Sequence, residues 1–262
     1  MKNGFSPADI FIRSVKLWWV VVIFSIAGGG LSYVIHGLLP PVFSSRVIIT
    51  TSINFAKTGP LTDEKQDQAI NAARDVILSN TVKEAVLSQA LDQGFEFNLE
   101  EFENAHFSDR MGFDIVIGIE ANDPNMAAFI TNIWADTALT NLNDDLWHAI
   151  KAEALSKVLN NLEACFEEVS VTPPSSAICQ EMSISEILET INQTSSLLAQ
   201  ETAASKAIIP SLSFALGNKA EIPVIPTYRN RNLMVFSGLM IGFIAGIIFS
   251  QISPPNRNPR KK

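Results

Sequence analysis

Histidine, cysteine and tyrosine are scarce in this chain, with three, two and two copies among 262 residues. His36, His106 and His148 lie far apart, and none has cysteine or carboxylate neighbours at a recognised ligand spacing. That pattern argues against a metal centre. No G-x-x-x-x-G-K-[ST] run occurs, so no loop is set to cradle the phosphates of a nucleotide. Basic charge is short as well: 19 Lys+Arg face 27 Asp+Glu, a formal charge of −8. A nucleic-acid binder would show a basic patch or stripe, and nucleic acid is excluded as a partner on this ground. Asp144 and His148 stand at i, i+4, but no nucleophile accompanies them, and they read as a pair on a helix surface. No catalytic residue and no cofactor emerges, and the chain reads as non-enzymatic.

Apolar length is what the chain has in abundance. Leu17 to Leu39 and Leu233 to Ile252 contain no charged side chain. As helices they would cover about 34 Å and 30 Å, enough to cross the hydrocarbon layer of a bilayer. A cleaved signal peptide is the competing reading of the first run, but its apolar character continues a dozen residues past the small residues Ser25 and Ala27. Trp18 and Trp19 suit a headgroup-level belt. Gly238, Gly242, Gly246 and Ser250 recur every four residues and line one face of the second helix. Gly28 and Ser32 give the first helix a matching small-residue face. Such faces let two helix backbones approach closely, the main packing device inside lipid.

The flanking charges set the orientation. Lys2, Arg13 and Lys16 precede the first run, and Arg257, Arg260, Lys261 and Lys262 follow the second. Between the runs remain 12 basic and 26 acidic residues. Both ends therefore read as cytoplasmic and the middle as exported. The expected division is a cytoplasmic N-terminus 1–16, a transmembrane helix 17–39, an exported domain 40–232, a second transmembrane helix 233–252 and a cytoplasmic basic tail 253–262.

Val42 to Asn54, rich in β-branched residues, reads as a strand leaving the membrane. Asp67 to Ala90 carries helical spacing with a break near Asn80-Thr81, and Phe95 to Phe97 reads as a short strand. Phe113 to Glu120 alternates, with Phe113, Ile115, Ile117 and Ile119 expected to face inward. Asp123-Pro124 starts a helix that meets no proline or glycine until Pro173, about 70 Å if unbroken. Ser183-x-x-Glu186 is a capping box for a return helix. A helical hairpin over about 124–208 results. Its turn is flanked by Cys165 and Cys179, which outside the cytoplasm favour a disulfide stapling the tip. Ser211 to Leu216 and the prolines of Ala220-x-x-Pro223-x-x-Pro226 bring an extended chain back to the second membrane helix. The fold class is thus an α+β membrane protein: two transmembrane helices flank an exported domain with a small mixed sheet and a long protruding helical hairpin.

These pieces together resemble the Wzz-type polysaccharide co-polymerases, the chain-length determinants of bacterial surface polysaccharides. The resemblance spans nearly the whole chain. It is carried by the two terminal helices, the strand Pro41 to Asn54, Ser79-Asn80-Thr81-Val82, and Ile115-Val116-Ile117-Gly118-Ile119 followed by Asp123-Pro124-Asn125-Met126-Ala127-Ala128-Phe129-Ile130-Thr131-Asn132. The most specific part is Ala220, Pro223 and Pro226 ahead of the glycine-spaced helix. Phe43 and Arg229 stand where the family often has tyrosine and proline. The resemblance implies a homo-oligomer in the bacterial inner membrane, beside a polysaccharide polymerase and flippase, that sets O-antigen, capsule or exopolysaccharide length or export without making bonds. It further implies contact with the polysaccharide itself. Two other readings stand beside it: an adaptor that activates a separate capsular tyrosine kinase, and a two-helix membrane sensor with a helical ectodomain.

Overall fold

The computed structural model describes residues 15, 17–171, 183–227 and 231–252. The chain divides into two compact units, Phe43–Ile225 and the terminal stretches up to Val42 and from Pro226.

In the larger unit, β1 (Phe43–Ile53), β2 (His106–Met111), β3 (Asp114–Ala121) and β4 (Leu212–Leu216) form one sheet in the order β2-β3-β1-β4. Every pairing is antiparallel, where a mixed sheet was expected. Neighbouring strands β2 and β3 are joined by a hairpin, and between β3 and β4 the chain runs out and back as two long helices. β1 alternates: Ser45, Val47, Ile49 and Thr51 are buried while Arg46 and Ile48 face out. Val47 pairs with Ile117 and Ile49 with Ile115, so the apolar rows of two strands coincide.

Two features of β2 and β3 depart from expectation. Phe113 is exposed rather than inward, because Met111 pairs with Asp114 and Phe113 falls in the two-residue turn. Gly112 supplies the positive φ, +66°, that the turn needs. Val116 is buried on the face expected to be wet, and at the neighbouring position of that face Phe107 lies across Gly118, where a Cβ would overlap its ring. The sheet is therefore covered in part on both sides.

Helices α2 (Asp63–Ile77) and α3 (Asn80–Asp92) are started by Thr62 and Ser79, whose hydroxyls accept the N–H of Lys65 and Val82. Phe95 to Phe97 forms no strand. Its aromatic rings pack on Phe129 and Phe102, and the Phe95 N–H donates to the Ala90 carbonyl at 3.0 Å rather than to a strand. α4 (Leu99–Ala105) follows, with Asn98 and Glu101 as a capping box.

α5 (Pro124–Val171) is one helix of 48 residues, about 70 Å long. Its first half is core: Ile130, Trp134, Ala135, Ala138 and Leu142 are fully buried with Ile70, Ile77, Val82, Val86 and Phe102. The Trp134 indole donates to the Ile77 carbonyl at 3.0 Å, joining α5 to the end of α2. α6 (Ile184–Ala204) returns along α5 after the Ser183–Glu186 capping box, which is fully formed. The second half of α5 and α6 bury Leu162, Ile187 and Thr194, while Ile150 and Val158 remain exposed. The residues expected to turn the hairpin, Thr172-Pro173-Pro174-Ser175, lie outside the described residues.

The smaller unit pairs α1 (Trp18–Leu38) with α7 (Arg231–Ile252). Both are long and apolar enough to cross a membrane, with mean hydropathies of 1.8 and 2.3. Their outward surfaces expose Ile23, Ile26, Leu31, Val34, Leu233, Ile241 and Ile248. An apolar surface of this extent is foreign to water-facing helices.

Candidate functional site

The start of α5 is built from local rules. Asp123 accepts the Asn125 N–H through Oδ1 at 2.9 Å, and its carbonyl accepts the Ala127 N–H at 3.0 Å. Pro124 occupies the first turn, where a missing N–H costs nothing. Two turns on, Thr131 is fully buried and donates its hydroxyl to Ala127 O at 2.7 Å, with Ser45 O at 3.4 Å. The next residue, Asn132, reaches a segment 88 positions away. Its Nδ2 donates to Ala220 O at 3.1 Å, and its Oδ1 accepts the Ala220 N–H at 2.8 Å. One side-chain amide thus satisfies both backbone groups of Ala220, as a paired strand would. Ser45 continues the seam by donating its hydroxyl to Glu221 O at 3.2 Å.

The first of the three motif positions, Ala220, is therefore clipped between α5 and β1, and it is 8% exposed. Pro223 and Pro226 are half-buried, and neither can donate to a ladder. In the smaller unit the chain is tied again, where Thr227 N–H donates to Val42 O at 2.7 Å. That single bridge joins the two strands of chain adjoining α1 and α7.

Small residues line the contact of α1 with α7. A Cβ on Gly28 would overlap Gly238 O and crowd Gly242; one on Gly238 would overlap Ser32 and Gly28 O; one on Gly242 would overlap Phe24 O. At Gly246 the nearest atom is the Val21 Cα, 2.8 Å away. Ser32 donates its hydroxyl to Met234 O at 2.7 Å. Backbone meets backbone along this line, with a hydrogen bond at one end.

A second polar cluster lies where α5 and α6 run side by side. His148 does not pair with Asp144; its Nδ1 meets Glu201 on α6. The Glu201 side chain is 21% exposed, whereas Asp144 is an exposed residue. Lys151 Nζ stands 3.7 Å from the same carboxylate, and Lys206 Nζ stands 3.1 Å from the buried Asp145. The hydrogen bond from His148, aided by the Lys151 charge, holds the Glu201 carboxyl below its ordinary range. Cys165 sits in the distal half of α5 and is not a free thiol; Cys179 lies outside the described residues.

No protein-family model matches the sequence, and no curated protein matches it. Among solved structures the chain is similar to a full-length bacterial polysaccharide co-polymerase, over 94% of this chain and 96% of that one, at 11% identity and a TM-score of 0.35. It is similar also to a mutant of the Shigella flexneri lipopolysaccharide O-antigen chain-length regulator, over 71% of this chain and 100% of that one, at 10% identity and a TM-score of 0.22.

Asn132, Ser45 and Thr131 were not singled out by sequence as a clip. The one available signal is a polar pair, Thr131-Asn132, set between Ile130 and Ile133 on a core-facing helix. A polar residue in that setting needs a partner, but the sequence does not say which of the later segments supplies it.

Proposed function

We propose that this protein is a non-enzymatic, membrane-anchored regulator of bacterial surface polysaccharide chain length or export, working as a homo-oligomeric co-polymerase in the inner membrane. The observation that carries the reading is the clip of Asn132 on Ala220. It fixes the head of the proline segment to the base of a helix about 70 Å long, and the same segment runs within a few residues into an apolar helix packed on a second one. A change in the position of the hairpin is thereby passed to a membrane helix through a chain that two prolines keep stiff. Such an arrangement moves no bond and needs no cofactor.

In this reading α1 and α7 span the bilayer, both termini are cytoplasmic and Phe43–Ile225 is periplasmic. Gly28, Ser32, Gly238, Gly242 and Gly246 serve packing in lipid, while Ala220, Pro223 and Pro226 serve coupling. Cys165 and Cys179 close the tip of the hairpin as a disulfide. A polysaccharide polymerase and a flippase are the partners, with the growing polysaccharide alongside. Deletion in the source bacterium, followed by electrophoresis of its surface polysaccharides, tests the function. Loss of the modal length, restored by the plasmid-borne gene, is expected; an unchanged ladder overturns the proposal.

A further inference from the structure

Beyond its clip on Ala220, the proline segment turns apolar side chains outward. Val224 is 90% exposed, Ile225 75% and Ile222 56%. Three large aliphatic residues within four positions, all exposed, mark an interaction site rather than ordinary surface scatter.

Reach says what covers them. α1, with 21 residues, measures about 32 Å, close to the hydrocarbon thickness, so its end lies near the boundary with the headgroups. Val42 follows that end by four residues and is bonded to Thr227. Ile225 precedes Thr227 by two residues, within about 7 Å of it. The neighbouring sequence, Tyr228-Arg229-Asn230-Arg231, holds an aromatic and two cations, the side-chain types that favour the level of lipid headgroups. Val224 and Ile225 stand in a bend between Pro223 and Pro226, both are exposed, and a fluid apolar layer can wet them together.

We propose that Ile222, Val224 and Ile225 insert into the boundary between headgroups and acyl chains, making the proline segment an interfacial anchor. The proposal rests on the two-span reading above. Under it lipid holds Ile222 to Ile225 while Asn132 holds Ala220.

The test uses the full chain with Cys165→Ser and Cys179→Ser, reconstituted in phosphatidylethanolamine–phosphatidylglycerol vesicles. A nitroxide is attached singly through Ile222→Cys, Val224→Cys or Ile225→Cys, and its relaxation by oxygen is compared with that by a nickel chelate. Glu163→Cys on α5 is the aqueous reference and Ile241→Cys on α7 the lipid reference. The three segment labels are expected to favour oxygen several-fold over Glu163→Cys, at values between the two references. If they match Glu163→Cys while Ile241→Cys reports lipid, the anchor is refuted and the two-span reading stands. If Ile241→Cys reports water, that reading fails and the anchor with it. Labels shielded from both relaxants would mean that a protein surface, a second copy or a partner, covers the segment, which also overturns the proposal. Should the serine replacements unfold the chain, the unaltered protein is photolabelled by a lipid-borne carbene and mapped by mass spectrometry. Adducts at Ile222 to Ile225 are expected; adducts confined to α1 and α7 contradict it.

Discussion

Asn132 does with one side chain what a strand would do with several residues, and the consequence is measurable. Truncation leaves the N–H and C=O of Ala220, which is only 8% exposed, without their partner. Asn132→Ala is expected to lower unfolding free energy by about 1–3 kcal/mol, read by chemical denaturation in detergent. Asn132→Asp keeps the acceptor but loses the donor to Ala220 O, and should cost nearly as much. Glu201 gives a second residue-scale test. Its carboxyl is held below the ordinary range by the hydrogen bond from His148 and then by Lys151. A depressed carboxyl contributes stability that is fully present above its unfolded value and lost as pH falls through the folded one. Acidification through the ordinary glutamate range and below should therefore erode the contact between α5 and α6. Glu201→Gln should flatten that part of the profile, as measured by denaturation between neutral and acidic pH. An identical slope in the variant would show that Glu201 is not its source.

The elements differ in how plainly they announce themselves. Capping signals are local, and Asp123-Pro124 and Ser183-x-x-Glu186 began helices where expected, the second with its box complete. The 48 residues of α5 were legible because no proline or glycine interrupts them. β2 was not legible. His-Phe-Ser-Asp-Arg-Met lacks β-branched residues, and only its pairing with β3, together with Arg74 donating to the Ser108 carbonyl at 3.1 Å on its open edge, makes it a strand. Phe95 to Phe97 failed for the opposite reason: aromatic content imitated β-propensity, but the rings were wanted for packing on Phe129 and Phe102. Glycine spacing in α7 pointed to a packed face, with Gly28 and Ser32 as the expected counterpart on α1. The residues opposite it are Phe24, Gly28 and Ser32, with Val21 at the far end, and neither Phe24 nor Val21 was marked by the sequence. A leucine at Gly242 cannot be accommodated against Phe24 O without separating the helices. In membranes, oxidative cross-linking of Ser32→Cys to Met234→Cys should fall several-fold when Gly242→Leu is added. Unchanged cross-linking would mean that the small-residue line does not set the distance between α1 and α7.

At the scale of the molecule, each of the two units has its own attachment. Ala220 is held by Asn132 and Glu221 by Ser45 in one unit, while Thr227 is held by Val42 in the other. The motif positions were visible in sequence, as Ala220, Pro223 and Pro226, because proline marks its own backbone. Their attachment was not, since it depends on a contact across 88 residues that no local pattern encodes. The proposed function requires assembly, so the mass in detergent should be a whole-number multiple of 28.6 kDa, with closed rotational symmetry in projection. A monomer in both detergent and nanodiscs would remove the proposed mechanism.

Asn132→Ala supplies the most direct test of the coupling itself. The variant should reach the membrane in wild-type amount and assemble to the wild-type mass, because α1 and α7 are untouched. Introduced into the deletion strain, it should give surface polysaccharide whose modal length is lost or shifted on the gel. A wild-type ladder from an Asn132→Ala protein shown to have lost the clip would contradict the account.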